Sequence, residues 1–327
     1  MRLIATALEK TRRHAKDRAK AKIKGFYMCP ITPVGEDRHV DEKGLRENID
    51  AFSGMGIEGL VVGGFFAEGW NMTPTQWLRF HQVVADAGRG RIPLWTIILD
   101  PCVHTAIEKM NAVKDMGFEG AEVINPVVQL RTDDEIFDWF KYLTDHTDLA
   151  ICLYRTGVGG RVLGFDLMKR LADIDTMVAA KQGAGGRIDT FRMRRELPSN
   201  FLVCDPSEAV FLDDLRAGGQ CVWGELSYIL YGKKRHLVNE YRALAAQGKW
   251  EEAREKSMQL NGVRLLLEET LLWKIIETNT YAGTVSSVKT WFEAIGLKGG
   301  RMIPPLRDLP AAQADVLRGK LQDLGVC

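Results

Sequence analysis

Nowhere in the 327 residues do eighteen apolar side chains follow one another, so no segment is written as a membrane-spanning helix. The N-terminus has no apolar core leading to a small-residue cleavage site, which argues against a secretory signal. Cysteine is sparse and scattered: six residues, at 29, 102, 152, 204, 221 and 327, with no CxxC pair. Cys29, Cys152, Cys204 and Cys221 sit inside apolar runs, as buried thiols do in a reducing compartment, so a cytoplasmic location is expected and a disulfide framework is not. The six histidines fall singly, with neither HxH nor HExxH, and point to no metal. No GxSxG elbow and no Walker loop occur, and no cofactor is expected. Excess charge is lacking too: 44 Lys and Arg stand against 43 Asp and Glu. That balance sets nucleic-acid binding low.

What is present is an ordinary globular composition, 46% hydrophobic and 27% charged, in a chain long enough to bury a large core. One local bias departs from it. Residues 1–24 carry nine Lys or Arg against Glu9 and Asp17. A basic arm for an anionic surface is one reading; a solvated helix packed through Leu3, Ile4, Ala7 and Leu8 is the other, and it is favoured because no aromatic residue accompanies the charge.

From residue 26 onward, short apolar runs alternate with longer amphipathic ones. The runs at 26–31, 59–63, 93–99, 120–125, 149–154, 177–181, 201–204 and 220–223 are mostly continuous, as parallel strands covered on both faces are. Helix-period segments lie between them at 40–55, 73–87, 104–116 and 133–146, with Thr73, Thr132 and Ser207 placed as N-caps. Eight such strands predict a (β/α)8 TIM barrel. The rival is a doubly wound sheet, but the first strand runs into Thr32-Pro33-Val34-Gly35, with no GxGxxG there. The expected division is a basic extension over 1–24, the barrel over 25–232, and a C-terminal helical region over 233–327. Within the last, helices are expected at 234–247, 250–277, 286–294 and 311–324.

Barrel chemistry sits at the C-terminal ends of strands. The sixth run ends on Lys181 and the fifth on Tyr154. A lysine closing an apolar strand is partly desolvated, which lowers the amine's pKa and suits nucleophilic attack on a carbonyl; a lysine snorkelling to solvent fits the same position. A phenol on the neighbouring strand could shuttle protons to it. The second run leads into Gly63-Gly64-Phe65-Phe66-Ala67-Glu68, a turn whose backbone N–H groups can face a carboxylate. Glu68 reads as a general base or, more simply, as an acceptor for backbone N–H groups.

In this order the residues resemble the dihydrodipicolinate synthase / N-acetylneuraminate lyase family over about 25–325. Ile31-Thr32-Pro33 closes the first strand, Gly64 to Glu68 stands where the family writes Gly-Thr-Thr-Gly-Glu, and Ile303-Pro304-Pro305-Leu306 precedes the last helix. The resemblance implies that Lys181 is a Schiff-base lysine and Tyr154 the catalytic tyrosine. It also implies a carboxylate held by the backbone of Gly64, Phe65 and Phe66, with Arg155 or Arg161 as a clamp, and a homotetramer. Both family threonines are replaced, by Phe65 and Phe66, and the relay tyrosine after the fourth strand is absent from Pro126-Val127-Val128. With Trp70 and Trp223 these phenylalanines predict a pocket for an apolar or aromatic arm. The expected reaction is class I aldolase or hydratase-aldolase chemistry on a 2-oxo acid, with pyruvate and an aldehyde as the small-molecule partners. A dihydrodipicolinate synthase, a deoxy-sugar-acid dehydratase and a non-catalytic ligand-binding barrel stay open as alternatives.

Overall fold

The computed structural model describes residue 12, residues 14–126, residue 130 and residues 132–327. Eight strands form one parallel sheet: β1 (Gly25–Met28), β2 (Gly59–Val62), β3 (Leu94–Ile98), β4 (Gly120–Ile124), β5 (Ala150–Arg155), β6 (Met177–Gln182), β7 (Leu202–Cys204) and β8 (Cys221–Glu225). Strands β2 to β7 each pair with the strand before, and β8 returns to β1 with Tyr27 opposite Trp223. A single bridge, Asp205 to Val222, closes β7 on β8. The architecture is therefore the expected (β/α)8 barrel, nearly closed and followed by helices.

The strands form where the apolar runs are continuous because both faces are covered. One set of side chains points to the barrel interior (Tyr27, Cys29, Trp95, Ile97, Cys152, Cys204, Cys221, Trp223), and the other packs beneath the helices. That outer core runs without interruption into the C-terminal helices through Val238, Tyr241, Val285 and Trp291. Each such large side chain, once buried, stabilises the fold by about 1.5–3 kcal/mol. Thr73 and Thr132 cap the helices Pro74–Gly88 and Asp133–Asp145 with reciprocal capping boxes. Ser207 departs from expectation: its side chain caps nothing, and its N–H donates to Asp205 at 2.8 Å. The single helix expected over 250–277 is broken into Trp250–Met258, Asn261–Leu267 and Trp273–Thr278, with a π-helical turn at Glu268–Leu272. Among the described residues, no helix is long and apolar enough to cross a membrane.

Of the basic extension, residues 1–11 and 13, with Leu3, Ile4, Ala7 and Leu8, lie outside the described residues. The helix Ala15–Lys22 docks by other side chains. Ala15, Ala19 and Ile23 join the barrel's interior cluster beside Val178 and Leu202, and Gln220 donates to the carbonyls of Lys20 and Ile23. The segment thus packs against the body of the barrel.

His81 illustrates how the helical layer is tied to the sheet. Its Nδ1–H donates to the Trp77 carbonyl at 2.8 Å, which leaves Nε2 to accept from the Thr96 hydroxyl at 2.7 Å. Burial pushes its pKa from 6.5 down to about 3, against the help of the Trp77 carbonyl. Between those two values the unfolded chain binds a proton that the folded one refuses, so stability falls as pH drops through that window, by up to ~1.4 kcal/mol per pH unit. Urea denaturation across a pH series should show a shallower slope for His81→Gln than for the wild type; equal slopes would contradict the assignment.

Candidate active site

Strand pairing decides which side chains can meet. Tyr154 on β5 lies opposite Lys181 on β6, and Arg155 lies opposite Gln182. Successive residues of a strand point to opposite faces, so Tyr154 and Lys181 share the interior and Arg155 turns outward. Lys181 is 6% exposed. Its Nζ donates to the Gly224 carbonyl at 2.8 Å and stands 4.1 Å from the centre of the Tyr154 ring. Gly224 has φ +69°, and a Cβ there would come within 2.7 Å of that Nζ. Glycine at this point of β8 therefore leaves the room the amine occupies.

Two residues not singled out from the sequence complete the group. Glu122, fully buried on β4, lies with Oε1 3.6 Å from Lys181 Nζ and accepts the Trp223 indole N–H on Oε2 at 2.8 Å. Tyr281, just before the helix Ala282–Ala294, places its hydroxyl 2.6 Å from that of Tyr154. Phe65 stacks on the Tyr281 ring at 4.9 Å, and Phe66 meets it edge-on at 5.0 Å. Lys181, Tyr154, Tyr281 and the 65–66 turn thus form one chain of contacts.

The electrostatics correct the expectation of a lysine neutralised by burial. Burial does pull the Lys181 ammonium toward its neutral form, but the Glu122 carboxylate, joined by Tyr154, Cys29 and Cys152, more than reverses it, and the pKa is raised. The Glu122 carboxyl is itself pushed up by burial, opposed by Lys181 and the indole N–H. Burial, with Tyr154 beside it, also raises Tyr281 well above the usual phenol range. The resting amine is therefore a buried ammonium with a carboxylate beside it.

The remaining expected residues are placed as follows. Gly64 opens the turn after β2, where its carbonyl accepts from Gly69 and that of Phe65 accepts from Glu68. Glu68 is a structural acceptor: buried in a left-handed conformation, it takes the Ile303 N–H at 2.8 Å and pairs with the buried Lys289 at 2.5 Å. Trp223 is completely buried, stacked on Tyr27 and edge-on to Trp95, so it supports the barrel interior and is not an open aromatic wall. Trp70, at 44% exposure, faces solvent. Arg155 is no clamp in this arrangement, because its guanidinium is tied to the Leu163 and Ala184 carbonyls, Gln182 and Asp189. Arg161 pairs with Asp133, also away from the lysine's contacts. Of the run after β4, Val127 and Val128 lie outside the described residues.

Of the two missed residues, only Glu122 carried a signal. A glutamate inside an otherwise apolar strand is costly to bury unless it is paired. Tyr281 carried no local signal, since it meets Tyr154 across 127 positions of the chain.

A sequence model of the dihydrodipicolinate synthetase family matches residues 22–323. The 4-hydroxy-tetrahydrodipicolinate synthase of Synechococcus sp. (strain JA-2-3B'a(2-13)) is 25% identical over 300 residues, covering 90% of this chain and 92% of that protein. The enzyme of the same name from Ralstonia nicotianae is 25% identical over 307 residues, covering 93% and 98%. Among solved structures, Proteus mirabilis N-acetylneuraminate lyase superposes with a TM-score of 0.80 at 16% identity, over 94% of this chain and 100% of that one. Dihydrodipicolinate synthase from Oceanobacillus iheyensis gives 0.80 at 20% identity, over 95% and 100%. These two likenesses establish the fold.

Proposed function

The chain belongs to the dihydrodipicolinate synthetase family, whose members are aldolase-type lyases, and on that premise we propose that Lys181 forms a Schiff base with a 2-oxo acid. The observation that carries the reading is the buried Lys181 amine at the end of β6, facing the Tyr154 ring, with the paired hydroxyls of Tyr154 and Tyr281 beyond it. In this scheme Lys181 Nζ attacks the 2-oxo carbon, water leaves, and the protonated imine becomes an electron sink. A hydroxyl on the carbon beyond the adjacent bond gives its proton to the Tyr154 oxygen as the Tyr154 hydroxyl hands its own to Tyr281, which releases one to solvent. That C–C bond breaks, its electrons pass into the imine as an enamine, and an aldehyde departs. Protonation of the enamine and hydrolysis then release pyruvate and restore the amine. The backbone of Gly64, Phe65 and Phe66 holds the carboxylate. In the reverse direction the same groups join pyruvate to an aldehyde.

The aromatic cluster of Phe65, Phe66 and Tyr281 favours an aldehyde with an apolar or aromatic arm, because these side chains solvate a polyhydroxylated arm poorly. A second reading, synthesis from pyruvate and aspartate semialdehyde, is favoured by the names of the curated relatives. Borohydride trapping with pyruvate, followed by peptide mass spectrometry, tests the shared step: the expected adduct sits on the peptide holding Lys181. Turnover with an aromatic aldehyde against aspartate semialdehyde then separates the two readings. If neither pyruvate nor a larger 2-oxo acid leaves an adduct, the Schiff-base reading fails.

The resemblance also implies a homotetramer. Assembly of that kind would cover Leu265, Leu272, Trp273 and Ile276, which stand 49–67% exposed along the C-terminal helices.

A further inference from the structure

We propose that Glu122 is the internal proton acceptor for Lys181 and the counter-ion of the imine that Lys181 forms, an inference that rests on the Schiff-base reading above. The carboxylate is anchored at one oxygen and open at the other. Oε2 takes the Trp223 indole N–H at 2.8 Å, whereas Oε1 has no hydrogen-bond partner among the described residues and lies 3.6 Å from Lys181 Nζ. Both side chains are buried, with exposures of 7% for Lys181 and 1% for Glu122. A buried ion pair is weak as a stabilising device, and apolar residues of similar volume do as well or better. A glutamate whose free oxygen faces the nucleophilic nitrogen is accounted for by chemistry instead.

The steps balance within the pair. The ammonium passes a proton from Nζ to Glu122 Oε1, which leaves a neutral amine beside a neutral carboxyl. The nitrogen lone pair forms the C–N bond to the 2-oxo carbon, and a proton from nitrogen moves to the former carbonyl oxygen, giving the carbinolamine. The Glu122 carboxyl then returns its proton to that hydroxyl, the C–O bond breaks, and water leaves. The iminium cation remains beside the regenerated carboxylate. One positive charge enters on the lysine and one leaves on the imine, so no proton is exchanged with solvent.

The groups facing the pair from its surroundings are Tyr154 and Cys152 on β5, Cys29 following β1, and Tyr281. Burial pushes the Cys29 thiol up to about 12 and raises Cys152 and Tyr281 as well. That leaves Glu122 as the acceptor among them at neutral pH. Glu225, near Cys29, is raised by burial to about 7, but its carboxylate is engaged by the N–H groups of Leu226 and Ser227.

The test is the rate at which pyruvate and cyanoborohydride modify Lys181 from neutral to mildly alkaline pH. It is followed by intact mass spectrometry and corrected for the reductant's own pH dependence with a free lysine derivative. The expected wild-type rate is flat, because the reactive and resting forms of the pair carry the same charge. Glu122→Gln should lose the plateau and change by up to about tenfold per pH unit through the lysine's own ionisation. Glu122→Asp should keep the plateau at a lower rate, and Glu225→Gln should leave it unchanged. A wild-type rate that climbs tenfold per unit, or a Glu122→Gln profile superimposable on the wild type, overturns the proposal. If Glu122→Gln does not fold, the wild-type and Glu122→Asp profiles still decide. Absence of any adduct in the wild type is a different failure, that of the Schiff-base reading itself.

Discussion

Replacing Lys181 by alanine should eliminate the pyruvate adduct and lower carbon–carbon lyase activity to the limit of detection, while the barrel still folds. Activity fails because, among the described residues, no other amine is brought to this site: Lys181 Nζ donates to the Gly224 carbonyl and meets the Tyr154 ring face and the Glu122 carboxylate. The fold survives for a reason particular to this pair. Removing one partner of a buried ion pair ordinarily costs about 3–5 kcal/mol, because a charge is left unpaired. Here the survivor is a carboxyl already pushed toward its neutral form by burial, so Glu122 can take up a proton and avoid the full cost. It also keeps the Trp223 N–H as a partner. The variant should therefore melt lower than the wild type, with the loss smaller at mildly acidic pH, where that proton is easily supplied. Retained adduct formation in Lys181→Ala would move the nucleophile elsewhere. An unfolded variant would mean that Glu122 cannot be neutralised in place.

The same group of residues shows what the sequence carried and what it withheld. Strands β1 to β8 were legible because both of their faces are covered and their apolar runs are mostly continuous. The meeting of Lys181 and Tyr154 was legible because both close neighbouring runs, at the strand ends where barrel chemistry sits. Arg155 and Trp223 were misread because a position in a run says nothing of parity. Pairing Tyr154 with Lys181 turns Arg155 outward, and the stacking of Trp223 on Tyr27 buries it completely. Glu122 sat inside a run already read as a strand, and its role depends on partners 59 positions away at Lys181 and 101 at Trp223. Tyr281 lies beyond the barrel altogether, in a segment read only as helix-rich. Where the family's threonines are replaced, a hydroxyl beside Tyr154 comes instead from Tyr281, a residue that only the tertiary fold can deliver.

That delivered residue supports the second large prediction. Tyr154→Phe keeps the ring against which the Lys181 ammonium packs at 4.1 Å and removes only the hydroxyl that meets Tyr281. The adduct with pyruvate should therefore still form at Lys181, whereas kcat for bond cleavage should fall by about 10²–10⁴-fold, the range of a positioned general acid–base. Tyr281→Phe should fall less, by about tenfold, since the proton it relays can reach Tyr154 through water. The stacking on Phe65 and the edge-on contact with Phe66 keep the phenyl ring in place, so stability should hardly change. The decisive measurement is the double variant. Two residues acting as one proton path are not additive, so Tyr154→Phe with Tyr281→Phe should be no slower than Tyr154→Phe alone. If the two losses multiply, the hydroxyls work separately and the 2.6 Å contact between them is packing. If Tyr154→Phe abolishes the adduct itself, the hydroxyl is needed earlier, at carbinolamine formation, and the proton assigned to Glu122 would have to travel through Tyr154.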